Sequence, residues 1–510
     1  MNMILRIIGA IGFPLLALLM STQFAQKEIK VGAWAVASLI SLSIIIDTIK
    51  RQKRANNSDR ERIKEEGHYY DIVEKLWLSS SGLPASYISG LGDNPELKHI
   101  RHEGERLEKA NNFMEAITEY EKYLNHPRTS VENRIAANIL MGNCFAKMSR
   151  FADALTCYGK ALKESIKIED KKERLRAKAA VLTNLGKVYI LVGRVKKAVK
   201  TIKTALEIHE ILGLEDGIAD SLRNLGHAFR HIGKTDEALR TFEKSLEIET
   251  RMGDIQGQAS DLLNIGNIHG AAGKIKEALK YFQNASERYR AVNDLGGMAG
   301  CYSNIGICLR NTGNIEGALG ISQKALEIYR ALRFEHEIAD CLSNIGIYLE
   351  DLGRLDEALA TLKESLEINK KIGYKRGQAG SLMNIGIIAA IKGNYGTAIG
   401  QFQEALEINK QIGFKEGIAS ALGNIANCLK EQGKMDEAIG YHKKSLEIDK
   451  KIGNVAGVLS SLKNIGQILE ETGKGREALK YYSDALNMSE KIGDTLLHKE
   501  LENKINELNK

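Results

Sequence analysis

Residues 262–282 read LLNIGNIHGAAGKIKEALKYF, with Gly266, Gly270 and Gly273 and, directly after the last, Lys274. Such a run is either a glycine-rich loop closing on phosphate or the punctuation between two helices. A P-loop needs G-x-x-x-x-G-K-[ST], so that backbone amides cradle phosphate and a hydroxyl reaches magnesium. Here Ile268 stands where the first glycine belongs, and Ile275 where the hydroxyl belongs. Copies of the stretch decide the matter. The site of Lys274 holds Arg194, Lys234, Asn314, Arg354, Asn394, Lys434 and Lys474 elsewhere, a polar position under no single chemical demand. The glycines are punctuation.

Those copies repeat every 40 residues: Asn184, Asn224, Asn264, Asn304, Asn344, Asn384, Asn424 and Asn464. Each is followed by Leu or Ile and then Gly, except that Ala426 replaces the glycine once. A second glycine follows nine residues after each Asn, as at Gly273, and an alanine five residues later, as at Ala278. Gly104 with Ala116 and Gly142 with Ala154 mark two weaker copies, making ten units. A fixed period of this length marks a stacked array. Leu262, Ile265, Gly266 and His269 fall on one helical stripe. Gly273 then ends the helix in the left-handed conformation that glycine adopts without steric cost. A second helix follows, as in TDEALRTFEKSLEIE with Ala238, Leu239, Phe242 and Leu246 inward, and it stops near Gly213, Gly253, Gly373, Gly413, Gly453 or Gly493. The glycine inside the first helix costs about 1 kcal/mol of propensity. Close helix–helix approach is the expected reason for its recurrence.

The order Asn-Leu/Ile-Gly, Gly, Glu-Ala-Leu, Ala/Ser-Leu-Glu-Ile resembles the tetratricopeptide repeat over roughly residues 97–493. That family's unit usually has about 34 residues and a closing proline. Here no proline lies beyond Pro127, and connections such as IGYKRG and IGFKEG take its place. This longer variant is similar to the repeats of kinesin light chains and of Pins-type G-protein signalling modulators, a likeness of repeat type that does not transfer partners. The implied fold is all-α, a superhelical solenoid of helix-turn-helix repeats with first helices lining a concave groove.

The flanks carry their own signals. Residues 7–26 hold no charge, and a second apolar segment over about 31–49 is charge-free from 31 to 46. The first is about long enough to span a bilayer and the second is marginal. With KRQKR following at residues 50–54, the expectation for residues 1–50 is a transmembrane hairpin that leaves the rest cytoplasmic. A cleavable signal peptide ending near Ala25 is the rival, although TQFAQK lacks the small residue at −3. Residues 51–96 read as a charged linker with a short helical patch (Tyr70, Val73, Leu76, Trp77), to which no function is assigned. Over 494–510, Leu497, Leu501, Ile505 and Leu508 share a stripe, as expected of a capping helix.

Composition narrows the function. The net charge is +7, of which +4 falls within residues 1–66, so the array carries no concentrated basic face for nucleic acid. The six cysteines form no CxxC, and buried core thiols are expected. His227 and His231, four apart, have zinc-binding spacing but no third ligand and two arginine neighbours, Arg223 and Arg230. Carboxylates such as Glu237 and Glu277 recur at the start of second helices, where they answer the helix dipole. No nucleophile–base pairing stands out, so neither an enzyme nor a cofactor is expected.

The recurring Asn is what packing leaves unexplained. Its amide can pair with both N–H and C=O of an extended peptide. Helices about 8–10 Å apart and an extended rise of about 3.3 Å per residue would bring one Asn to every third peptide residue. In the kinesin light chain type a comparable asparagine ladder grips cargo peptides, and the resemblance implies a similar use. The alternative is that each Asn bridges neighbouring first helices. Three residues on stand Lys187, His227, Asn267, Ile307, Ile347, Ile387, Asn427 and Gln467. Ile307, Ile347 and Ile387, with Met383, are expected to form an exposed apolar strip, the alternative being that curvature buries these isoleucines between repeats. Arg223, Arg230 and Arg310 are expected to favour an acidic or carboxylate ligand. The expected function is a membrane-anchored cytoplasmic scaffold or adaptor that binds a peptide segment of a partner protein. The alternative is a regulatory module controlling a separate membrane-associated enzyme or signalling protein. The oligomeric state is left unassigned.

Overall fold

The computed structural model describes residues 95–509 apart from 110–111, 149 and 493–494. The expected anchor over residues 1–50, and the linker as far as residue 94, lie outside the described residues. Among the described residues no helix is long and apolar enough to cross a membrane.

The described residues form 21 helices, ten antiparallel pairs and a last single helix. The pairs are α1 (Pro95–Lys109) and α2 (Phe113–Asn125), α3 (Val131–Lys147) and α4 (Phe151–Ser165), and α5 (Lys171–Leu191) and α6 (Val195–Leu212). They continue with α7 (Glu215–His231) and α8 (Thr235–Met252), α9 (Ile255–Ala271) and α10 (Ile275–Ala291), and α11 (Leu295–Asn311) and α12 (Ile315–Leu332). Next come α13 (Glu335–Asp351) and α14 (Leu355–Lys371), α15 (Lys375–Ile391) and α16 (Tyr395–Gln411), and α17 (Lys415–Glu431) and α18 (Met435–Ile452). The last pair is α19 (Val455–Glu471) and α20 (Gly475–Ile492), followed by α21 (Thr495–Leu508).

The turn after α9 shows why each first helix stops. Gly273 has φ +73°, its N–H meets the Gly270 carbonyl, and the Lys274 N–H reaches back to the His269 carbonyl at 2.9 Å. This satisfies carbonyls the helix end would otherwise leave open. At the other end, the Asp254 carboxylate accepts the Gln256 and Gly257 N–H groups and starts α9.

The glycine inside each first helix marks a close crossing. A methyl placed on Gly266 would sit 2.7 Å from the Phe282 ring of α10, and one on Gly346 would sit 2.6 Å from Leu362 of α14. The fourth full copy departs from this pattern. Beneath Gly306 the partner is only Ser322, and the space is filled by Tyr348 of α13, whose hydroxyl lies 3.4 Å from where a methyl would stand. Each hairpin packs on the next, and first helices of successive hairpins, such as α5 with α7 and α13 with α15, also touch directly. That contact places the first helices along one shared face. All six cysteines are buried thiols. At the far end, Leu501 of α21 is buried against Leu459, Leu462 and Tyr482, and Lys504 pairs with Glu470 at 2.9 Å.

Candidate functional site

The asparagine ladder runs along the first helices but changes character along them. Asn184, Asn224 and Asn264 are buried. The amides of Asn184 and Asn264 turn back into their own helices, donating to the Ala180 and Ser260 carbonyls at 2.9 Å. Asn304, Asn344, Asn384, Asn424 and Asn464 are half-buried. Asn464 donates to Asn427 of the preceding first helix at 3.4 Å, so bridging occurs at that rung. The side chains of Asn304 and Asn344 make no hydrogen bond among the described residues.

Arg223 corrects one expectation. Rather than awaiting a ligand carboxylate, it is buried and already engaged: Nε donates to Asp261 Oδ1 at 2.8 Å and Nη2 to Glu249 Oε1 at 2.5 Å. A guanidinium with no access to water must carry its counter-charges with it. Beside it, Lys187 is fully buried with Asp220 at 3.5 Å, and burial lowers its ammonium pKa. Burial, reinforced by Arg230 and Arg223, holds His227 well below the usual histidine range, and its ring meets Phe242 edge-on at 5.2 Å. Burial lifts Glu249 to about 8, with Arg223 opposing and Asp254 assisting. Arg310 is occupied by Asp351 at 2.5 Å, and Arg230 is half-buried. Arg223 and Arg310 are thus already engaged by carboxylates of the array itself.

The apolar strip also needs correction. Ile307 is 41 % exposed, but Ile347, Ile387 and Met383 are partly buried and packed onto the cores on either side. An exposed strip of three isoleucines does not form, because the adjoining first helices cover the last two.

What the groove does contain is an open-sided cleft of about 630 Å³ between α9, α11 and α13. Asn264, Asn304, Asn344, Asn267 and Ile307 line it. The other predicted residues (Asn184, Asn224, Asn384, Asn424, Asn464, Ile347, Ile387, Met383 and the three arginines) do not. Its apolar wall includes Tyr329 and Phe334, ring centroids 6.5 Å apart, with Leu263, Leu295 and Leu332. Part of its floor is bare backbone: a methyl on Gly300 would meet only the Tyr329 hydroxyl, at 3.7 Å. Three carboxylates, Asp294, Glu337 and Asp340, complete the lining, which includes no lysine or arginine. The Asp294 carboxylate caps α11 by accepting the Gly297 N–H at 2.8 Å, and Asp340 has His336 Nδ1 at 3.6 Å.

Sequence reasoning missed this cleft as a unit, although a signal was present. The connections on its two sides lack the usual glycine and carry Asn293 and Arg333 instead. Those are the two non-glycine residues with positive φ among the described residues, at 56° and 57°. Left-handed backbone at a side-chain-bearing residue is costly, and it concentrates at functional sites.

The tetratricopeptide repeat family matches residues 177–250, 258–331, 298–371, 337–411 and 417–491. No curated protein matches the sequence. Among solved structures, the fold is similar to the apo form of RapI, with 17% identity, TM-score 0.54, and coverage of 71% of this chain and 99% of that one. It is similar to a Rap protein complexed with Competence and Sporulation Factor, with 15% identity, TM-score 0.50, and coverage of 70% and 99%. The apo form of the quorum sensor NprR from B. thuringiensis is 13% identical with TM-score 0.53, over 70% of this chain and 99% of that one.

Proposed function

Because the chain belongs to the tetratricopeptide repeat family, we propose that it is a binding scaffold whose groove at α9–α13 holds an extended peptide segment of another protein. One observation carries this reading. Asn304 and Asn344 present amides with no hydrogen-bond partner among the described residues, on adjacent first helices, beside the exposed Ile307 and inside a cleft. An amide so placed can pair with peptide N–H and C=O, while Ile307 and the Tyr329 wall take an apolar side chain. The ladder's role in peptide binding is thereby confined to its middle.

The two apolar segments at 7–26 and about 31–49, followed by KRQKR, support a membrane tether with the array on the cytoplasmic side. The chain would then act as an adaptor at a membrane. A second reading, a regulatory module whose joints respond to the bound ligand, draws support from the likeness to NprR, named a quorum sensor, and to a Rap protein complexed with a factor.

The test is crosslinking and affinity capture of the full chain from its native membrane. Asn304→Ala, Asn344→Ala and Ile307→Ser are combined, and Asn464→Ala serves as control. The triple variant loses the partner while helicity and melting stay near the original, and the control keeps it. Full recovery of the partner by the triple variant would overturn the groove reading.

A further inference from the structure

We infer that the cleft between α9, α11 and α13 selects a cationic peptide segment, one carrying an ammonium or guanidinium next to an apolar residue. This rests on the groove reading above and specifies its ligand.

Charge is the first observation. Asp294, Glu337 and Asp340 line the cleft without a lysine or arginine among them, although the chain from residue 67 onward carries a net +3. Glu337 is also particular to this place. The equivalent positions of the neighbouring units hold glycine: Gly217, Gly257, Gly297, Gly377, Gly417 and Gly457. A carboxylate has replaced a packing glycine at the one joint that borders the cleft on this side.

The second observation is independent of the carboxylates. Asn264 is 7% exposed, and its Nδ2 is committed to the Ser260 carbonyl at 2.9 Å. Its Oδ1 has no hydrogen-bond partner among the described residues, and the side chain lines the cleft. With its donor turned inward, this nearly buried amide offers the cleft an acceptor alone. A cation bearing several N–H donors satisfies such an acceptor in a cleft that carboxylates also line; an anionic ligand would add a repelled charge there. The third observation is shape. Tyr329 and Phe334 line the cleft, and an aromatic wall attracts a cation and seats its alkyl stem. The missing side chain at Gly300 lets a peptide backbone approach α11 directly.

Three first helices about 8–10 Å apart span roughly six extended residues, so hexapeptides are suitable probes. Fluorescein-labelled, end-blocked hexapeptide pools of mixed apolar sequence carry Lys, norleucine or Glu at one fixed position. A fourth pool has a free amino terminus and no lysine. Anisotropy is measured on the full chain in detergent at about 50 mM and about 300 mM salt, a range over which screening changes strongly. The Lys pool binds at least about tenfold tighter than the Glu pool, a difference of about 1.4 kcal/mol, and high salt narrows the gap. Asp294→Asn, Glu337→Gln and Asp340→Asn together erase the preference. These replacements keep shape, and Asn retains the cap acceptor on α11; melting of the triple variant checks that the array is intact. Equal binding by the free-amino pool assigns an amino terminus as a source of the cation and supports the inference. A Lys preference that survives the triple variant overturns it. So does a Glu pool that binds as well as the Lys pool; if that binding is lost with Asn304→Ala and Asn344→Ala, the groove reading stands and only the charge assignment falls. Failure of every pool to bind overturns both.

Discussion

Replacing Gly266 by alanine adds one methyl to a helix crossing that has no room for it. The new carbon would lie 2.7 Å and 2.8 Å from two carbons of the Phe282 ring, against an ordinary contact of about 3.5–4.0 Å. Phe282 is 3% exposed, so the ring cannot swing into solvent. Helix propensity favours alanine by about 1 kcal/mol, whereas overpacking a tight core costs about 1–3 kcal/mol. The second effect wins or cancels the first, giving a net loss of up to about 2 kcal/mol. Gly400, exposed on α16 with nothing within 4 Å of an added methyl, is the matched control. There only propensity acts, and Gly400→Ala gains about 1 kcal/mol. Hydrogen exchange of α9 and α10, alongside urea unfolding followed by circular dichroism, reads the local effect, since a repeat array need not unfold in one step. Adding Phe282→Leu to Gly266→Ala should recover part of the loss. If Gly266→Ala stabilises the array as much as Gly400→Ala does, the close-approach explanation of the recurring glycine is wrong.

Two further outcomes follow from particular residues. Burial holds Glu249 at about 8 against an ordinary value of 4.5, so the native state binds the proton more tightly than the unfolded chain does. The stabilisation is complete below the unfolded pKa and is lost as pH rises toward the native one. Hydrogen exchange around α7–α9 should therefore quicken from about pH 5 to about pH 8 beyond its intrinsic rate, and Glu249→Gln should flatten that trend; an unchanged slope in the variant would refute the assignment. Arg333→Gly relieves a left-handed residue at the joint between α12 and α13 and should raise stability by about 1 kcal/mol, read by chemical denaturation. A decrease would show that the Arg333 side chain contributes more than its backbone conformation costs.

The array was legible because its signals are local and repeated. Asn264, Gly266, Gly273 and Ala278 each report on their own turn or crossing, and the 40-residue period multiplies that report. The site was less legible because periodicity treats equivalent positions as equal. Asn224 and Asn344 occupy the same place in their units, yet one is buried beside charged neighbours and the other borders a cleft. The partners that accept from Arg223, Glu249 and Asp261, lie 26 and 38 residues away, and no pattern within one unit announces them. Ile347 and Ile387 were misplaced for a related reason: exposure along a stacked face depends on how far the next helix overlaps, which spacing alone does not encode. The better guide was departure from the repeat. Asn293 and Arg333 in place of glycine, Glu337 in place of glycine and Ser322 in place of a large apolar residue all cluster around α11–α13.

Hairpins that touch only their neighbours have a consequence for how such a chain can change over time. A whole unit of 40 residues can be duplicated or lost on either side of α9–α13 through one recombination event, leaving every wall of the cleft untouched. Insertions of a few residues inside that segment would instead misalign the two glycine-free joints that frame it. The array's length is therefore free to drift by whole units while the cleft is inherited as a block.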